Sequence, residues 1–322
     1  MSTPVSASSR TETSFAQDVR YGLTRSGQKE LAARYFYDDL GSALFEAITL
    51  LPEYGLTRAD ARILRNHARE MIDRLPGTIT VAELGSGSGQ KTRHVLRAVG
   101  QRQRLVRYCP IDVSRLALDR CARELLDVAR VDVFLGPYIS GLENVVRSRQ
   151  PGERLLVLFL GSSIGNFGPD AALGFLREVR STLEPADALL LGADLVKPVQ
   201  QLLLAYDDPT GVTAAFNLNV LARANRELGS DFNLRRFGHE ARYIPEQQRI
   251  EMHLRSTAAQ EVRVPGAGFC VSFEEGETIW TESSHKYELA ELDRMAQSSG
   301  FRVEGRWVDD EWPFVETLWI AR

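Results

Sequence analysis

Hydrophobic and polar positions change period several times along the chain. Over residues 15–50 the spacing is helical: Phe15, Val19 and Leu23 recur at every fourth position, and Leu40, Leu44, Phe45 and Ile48 repeat the pattern on a second segment. Pro52 ends that segment. Thr57, with Asp60 three residues later, reads as an approximate capping box for a helix over 58–74, which stops before Pro76-Gly77. From Thr78 the text alternates. Apolar runs stand at 79–84, 106–111, 131–135, 155–160 and 187–192, separated by helical segments at about 90–99, 114–129, 141–148 and 170–183. That rhythm predicts a parallel sheet with helices on both faces and right-handed crossovers.

After Asp194 the rhythm breaks. Residues 197–206 and 211–228 are helical in pattern. Residues 240–283 are short alternating runs split by Pro245, Pro265, Gly266 and Gly276, which predicts an antiparallel meander with one face buried. Residues 287–299 form an amphipathic helix ended by Gly300, and two strands follow at 301–308 and 315–321. The five runs and this last pair make an α/β fold with a seven-stranded, Rossmann-like sheet. The expected organisation is a disordered tail over 1–14, a sheet domain over 59–196 and 287–322, and a second α+β domain, for substrate, over 15–58 and 197–286.

Composition narrows the classes. The 322 residues are 43% apolar and 25% charged, with a net charge of -4 spread along the chain. No basic tract suits nucleic acid. The longest apolar runs, near Leu155–Leu160 and Ala188–Leu191, are far too short to cross a bilayer. The first residues are polar, without the apolar core of a signal peptide. The expectation is a cytoplasmic monomer with no nucleic-acid or membrane partner. Cys109, Cys121 and Cys270 are odd in number and lack C-x-x-C spacing, and the five histidines do not cluster, so neither a disulfide framework nor a metal site is expected.

Candidate chemistry gathers at strand ends. Gly85, Gly87 and Gly89 follow the first run in V-A-E-L-G-S-G-S-G-Q-K-T-R. Strand, glycine turn and helix place a ligand at the carboxyl edge of a sheet. The spacing is not the dinucleotide G-x-G-x-x-G. Asp112 ends the second run, where one carboxylate accepts from two ribose hydroxyls, although a helix N-cap is a competing role. Turn spacing and terminal strand pair favour S-adenosylmethionine over a dinucleotide. Its amino-acid end is expected at Glu83 or the turn amides, with Lys91 against the carboxylate. The fourth run leads into F-L-G-S-S-I-G-N-F, where Gly161 and Gly165 admit backbone close to a ligand and a buried Asn166 needs a partner. Tyr206 precedes Asp207-Asp208-Pro209. Glu282 and Ser284 lie two apart, so an extended chain points both to one face, suiting a ring with two nitrogens.

Taken together these segments resemble the L-histidine Nα-methyltransferases of ergothioneine biosynthesis. The resemblance runs from about Asp18 to Arg322 through Y-F-Y-D, L-P-E-Y, E-L-G-S-G-S, F-L-G-S-S-I-G-N, G-A-D-L-V-K, A-Y-D-D and R-I-E-M. It implies trimethylation of the α-amino group of L-histidine to hercynine, with S-adenosylmethionine as donor, S-adenosylhomocysteine as product and no metal. It also implies that Gly85, Lys91 and Asp112 bind the donor; that Tyr54, Asn166 and Tyr206 hold the amino-acid end of the substrate; that Glu282 and Ser284 grip the imidazole; that Tyr37 lies near the amine; and that Met252 lines the pocket. Tyr37 and Tyr206 are the candidates for taking the proton the amine must lose, and Gly161 for leaving room as methyls accumulate.

Two positions depart from the family pattern. Gly136-Pro137-Tyr138 stands where Gly-Asp-Phe is frequent, so Pro137 removes an adenine acceptor while Tyr138 is expected to stack on the ring. Gly55 follows L-P-E-Y where a tyrosine is common, which is expected to loosen the wall near the substrate. Rival readings are a methyltransferase of the same fold acting on another aromatic amino acid, such as a tryptophan derivative, and a nucleotide-binding module without chemistry.

Overall fold

The computed structural model describes Ser14–Arg322. The tail expected over 1–14 lies outside the described residues except at its last position. Ser14 caps the first helix: its hydroxyl accepts from the Gln17 amide while the Gln17 side chain accepts from the Ser14 amide.

The elements in chain order are α1 (Phe15–Thr24), β1 (Lys29–Glu30), α2 (Asp39–Leu50), α3 (Leu56–Asp73), β2 (Thr78–Leu84), α4 (Thr92–Gly100), β3 (Arg107–Asp112), α5 (Arg115–Leu125), β4 (Arg130–Val131), β5 (Phe134–Leu135), α6 (Tyr138–Arg147), β6 (Glu153–Phe159), α7 (Pro169–Thr182), β7 (Ala188–Asp194) and α8 (Val199–Tyr206). They continue with α9 (Val212–Leu228), β8 (Phe237–Ile244), β9 (Arg249–Ser256), β10 (Gln260–Val264), β11 (Phe269–Phe273), β12 (Thr278–His285), α10 (Leu289–Ser298), β13 (Phe301–Val308) and β14 (Phe314–Ala321).

The chain divides into two compact units. One takes the chain through Leu44, then 211–241 and 252–282; the other takes 45–210, 242–251 and 283–322. The divisions fall at Leu44 and Thr210 rather than at 58 and 196. Tyr54 packs edge-on against Phe45 and Tyr206, and Gly55 sits against Trp312, so these N-terminal residues belong to the sheet unit.

In the sheet unit the strand order is β13-β14-β7-β6-β2-β3-β4, with β5 also paired to β3. The run at 131–135 is therefore two short pieces along one edge, and the sheet has seven strand positions. β2, β3, β6 and β7 are mutually parallel, whereas β14 runs antiparallel to both β7 and β13. All but the first residue of β2 and all of β7 are buried, as strands covered on both faces require. The core joins them to Leu176, Val179, Leu292 and Trp319. Helix α3 buries Leu56, Ala59, Ile63, Leu64, Met71 and Ile72 on one stripe. It starts two residues earlier than predicted. Gly55 is its N-cap, without a side-chain bond, so the Thr57–Asp60 capping box does not form.

In the other unit Phe36 packs on Phe216 with ring centroids 4.6 Å apart. Asn219 donates to Asp38, which also pairs with Arg226. The predicted meander is interrupted. β10 and β11 form a separate antiparallel hairpin, while β12 returns beside β9 in a four-stranded sheet of order β1-β12-β9-β8. β1 joins β12 in parallel, Lys29 opposite Ile279 and Glu30 opposite Trp280.

Candidate active site

The glycine turn lies between β2 and α4. Gly85, Gly87 and Gly89 have φ of 77°, 50° and 70°, a region side chains rarely adopt. A Cβ on Gly85 would stand 2.9 Å from the Tyr138 hydroxyl, and one on Gly89 would stand 2.7 Å from Cys121 Sγ. At Gly87 such an atom would meet nothing within 4 Å, so the tip of the turn is open. The Gly85 amide donates to Ile111 O at 2.8 Å, tying the turn to β3. Asp112 ends β3 beside it. Its carboxylate accepts from the Ser114 amide at 2.8 Å and from the Gly87 amide. Burial raises its pKa, and those backbone donors pull it back. Ser114, not Asp112, caps α5.

Glu83 is buried within β2, where Oε2 accepts from the Thr92 hydroxyl at 2.8 Å and from Tyr108. Burial pushes its pKa up to about 7, against the lowering effect of those hydroxyls. Lys91 is the N-cap residue of α4 and its Nζ pairs with Asp60. Burial works to lower the lysine pKa, but Asp60 outweighs it and the net shift is upward. Asp60 is fully buried and also accepts from the Gly161 amide at 3.0 Å. Glu316 of β14, fully buried too, faces this cluster across Gly192.

Pro137 is the N-cap residue of α6. The Tyr138 ring packs edge-on to Phe159 and Phe175, with centroids 5.6 and 6.0 Å away. Its hydroxyl and ring edge lie against Gly85, and burial, with Asp112 nearby, pushes the hydroxyl pKa up to about 12. Gly161 has φ 70°, and a Cβ there would stand 3.1 Å from Lys91 Nζ, so its missing side chain admits the Lys91–Asp60 pair. Asn166 ends a short 3-10 turn and is exposed. The expectation of a buried amide in need of a partner is overturned; an exposed amide is satisfied by solvent.

A second charged cluster lies at the end of β7. Asp194 pairs with Lys197 and, at 3.0 Å, with Lys286. It also accepts from Trp312 Nε1 at 3.0 Å. Lys286 is 1% exposed, and it donates further to Tyr206 Oη at 2.9 Å and Ser284 Oγ at 2.8 Å. Those two hydroxyls are 2.7 Å apart. Asp194 is held ionised, the two lysines outweighing the burial that would raise its pKa. Burial lowers Lys197 to about 8 despite Asp194. Gly55 does not loosen this region. Its Cβ would stand 2.1 Å from Trp312 Cε3, so the indole occupies the space a larger residue would take.

In the other unit, Tyr37 is 37% exposed and meets Phe216 edge-on at 5.8 Å. Met252 is buried on β9, its carbonyl accepting from Thr281 at 2.9 Å. β12 is extended through Thr278–His285, so Glu282 and Ser284 project from the same face of that strand, Glu282 partly exposed and Ser284 buried.

Asp60, Asp194, Lys197, Lys286, Trp312 and Glu316 join these clusters without standing among the candidate site residues that the sequence pattern singles out. Asp60 and Glu316 had a visible signal: one is an acid inside the apolar stripe of α3, the other an acid in the apolar run F-V-E-T-L-W-I-A.

Numbered along the chain, the seven strand positions are ordered 3-2-1-4-5-7-6, with the last strand antiparallel. This order, with an open glycine turn after the first strand and a carboxylate after the second, defines a class I S-adenosylmethionine-dependent methyltransferase. The sequence profile of the histidine-specific, SAM-dependent methyltransferases matches residues 15–321, and the chain belongs to that family. The histidine N-alpha-methyltransferase of Mycolicibacterium smegmatis is 42% identical over 293 residues, covering 91% of this chain and 90% of that protein. The protein of the same name from Mycobacterium tuberculosis is 41% identical, covering 92% of each chain. Ergothioneine biosynthesis protein 1 of Neurospora crassa is 30% identical over 88% of this chain and 32% of its own length.

Proposed function

We propose that the chain transfers three methyl groups in turn to the α-amino nitrogen of L-histidine, giving hercynine, the first step of ergothioneine biosynthesis. The family match and the identity to the two mycobacterial enzymes carry this reading. The donor fits the sheet unit: a turn open at Gly87, an anchored carboxylate at Asp112 and an ammonium at Lys91 are the groups its ribose and amino-acid end need. In this reading Gly85, Lys91, Asp112, Pro137 and Tyr138 hold it. When bound, it supplies an electrophilic methyl on a sulfonium.

The protein's part is orientation and proton handling. Tyr54, Asn166 and Tyr206 receive the amino-acid end of histidine, Glu282 and Ser284 the imidazole, and Met252 lines the pocket. Lys286 donates to both the Tyr206 and Ser284 hydroxyls, filling a lone pair on each. The two hydroxyls also bond each other, so a buried ammonium backs the pair, which favours an anionic group beside it. Holding the amine in line with the methyl contributes up to roughly 7–11 kcal/mol in ideal systems. The amine must be neutral to attack, and its proton leaves to solvent by way of the Tyr37 or Tyr206 hydroxyl, which accepts it on oxygen as it releases its own, directly or through water.

The test is product mass. With S-adenosylmethionine and histidine, species carrying one, two and three added methyls are expected, and none with tryptophan or tyrosine. Glu282→Ala is expected to raise the histidine KM by roughly 10–100-fold, as a lost charged hydrogen bond does, and to narrow the preference for histidine over tryptophan. An unchanged preference would remove Glu282 from the imidazole site.

A further inference from the structure

Three fully buried oxygens near Lys91 have no hydrogen-bond partner among the described residues: Oδ1 of Asp60 and both carboxyl oxygens of Glu316. The two side chains come from different elements, α3 and β14, and face each other within hydrogen-bonding reach. The backbone is shaped to admit them. Glu316 lies opposite Gly192 in the strand register, and a Cβ at Gly192 would stand 2.5 Å from Glu316 Oε1 and 3.2 Å from the Gly161 nitrogen. That same nitrogen donates to Asp60 Oδ2, which also holds Lys91. Two carboxylates cannot satisfy one another, because an ionised carboxylate only accepts. With one proton between them, the acid donates to its neighbour and the orphaned Oδ1 is filled. The oxygen left over is the carbonyl of a neutral acid, far less costly to bury than a charge.

We propose that Asp60 and Glu316 share one proton, Glu316 as the acid and Asp60 as the carboxylate, and that this pair is the positioning device that holds Lys91 for the carboxylate of the methyl donor's amino-acid end. The proposal rests on the donor-binding role of Lys91 given above. The proton's location follows from the partners. Asp60 Oδ2 already accepts from Lys91 and from the Gly161 amide, whereas neither carboxyl oxygen of Glu316 has a donor among the described residues. The charged groups that face the pair are Lys91 at the start of α4 and Glu83 in β2. Were Glu316 also ionised, Lys91 would be outnumbered by buried negative charge, and the pocket would repel the carboxylate it has to bind. As one shared proton, the pair presents a single negative charge to Lys91. It fixes the ammonium at Gly161 and leaves ammonium protons to donate to a ligand.

The test uses S-adenosylhomocysteine binding to the full chain by titration calorimetry, with no methyl acceptor present. Lys91→Met comes first. If it does not weaken binding, the donor-binding role of Lys91 fails, whatever the pair does. Given that weakening, Asp60→Asn is expected to weaken binding about tenfold, the effect of one charge-assisted hydrogen bond; unchanged affinity overturns the proposal. Glu316→Gln keeps the shape and donates an amide proton to Asp60, so its affinity at neutral pH is expected to stay within about threefold of the parent. Its affinity should also hold at alkaline pH, where the parent's falls as Glu316 ionises. Glu316→Gln binding as weakly as Glu316→Leu overturns the proposal, since a carboxylate would then be required. An infrared difference spectrum of parent against Glu316→Gln reads the proton without any ligand. A carboxylic-acid carbonyl band present only in the parent is expected, and its absence has the same overturning force.

Discussion

The two buried charge clusters of the sheet unit are opposites. Beneath the glycine turn one lysine faces three carboxyls, Asp60, Glu83 and Glu316, and several of their oxygens lack partners. At the end of β7 two lysines share one carboxylate, and Asp194 is bonded by Lys197, Lys286 and Trp312. The first is rich in acid and under-satisfied; the second is rich in base and closed. A charge buried without its counter-ion is costly, so each cluster has a distinct weak point.

Removing the shared anion of the closed cluster is expected to have the largest effect. Asp194→Ala leaves Lys197 and Lys286 buried together, and a loss of about 3–5 kcal/mol in urea unfolding is expected at neutral pH. Lys197, already lowered to about 8 by burial, then loses the carboxylate that holds its proton, so the loss should shrink as pH rises. A small, pH-independent loss would show the lysines to be well solvated and the contrast between the clusters to be wrong.

The acid-rich cluster should respond in the reverse sense. Glu83 has a folded pKa of about 7 against an ordinary 4.5, so its neutral form is preferred in the fold. Its contribution is complete below the unfolded value and is lost as pH rises through the folded one. Glu83→Gln keeps the acceptor for Thr92 and Tyr108 and cannot ionise. It is expected to match the parent near about pH 5 and to exceed it by on the order of 3 kcal/mol above about pH 8. Parallel stability curves would assign the burial of Glu83 no energetic consequence.

Gly55→Ala gives the smallest expected effect and sharpens the account of the closed cluster. Its new methyl meets Trp312, which bonds Asp194, and overpacking of this kind costs about 1–3 kcal/mol. A thermal melt showing no loss would mean that the indole is free to move aside.

The alternation of strands and helices was legible because strands buried on both faces read as unbroken apolar runs, and the glycine turn and Asp112 because they follow such runs directly. The charge clusters were not. Lys286 and Asp194 are far apart in sequence, and no local period marks their meeting. Asp60 follows Thr57 at capping distance, which suggests a helix cap, but its place in the stripe with Ala59, Ile63 and Leu64 is the better signal. The hairpin of β10 and β11 also escaped, since alternation gives the faces of a strand but not its neighbours. Residue type suggests burial for Asn166, but in a strand-end loop exposure depends on the path of the chain.

Gly161 and Ser162 are consecutive, with φ of 70° and 60°. The amide of the first donates to Asp60, and the hydroxyl of the second accepts from the Asp194 amide at 2.9 Å. A single left-handed bend after β6 is therefore fastened to both charge clusters, and neither fastening can shift without turning the peptide that carries the other. If the two clusters hold donor and acceptor as proposed, any coupling carried by that bend is reciprocal: whatever factor the donor exerts on the affinity for the acceptor, the acceptor exerts on the affinity for the donor.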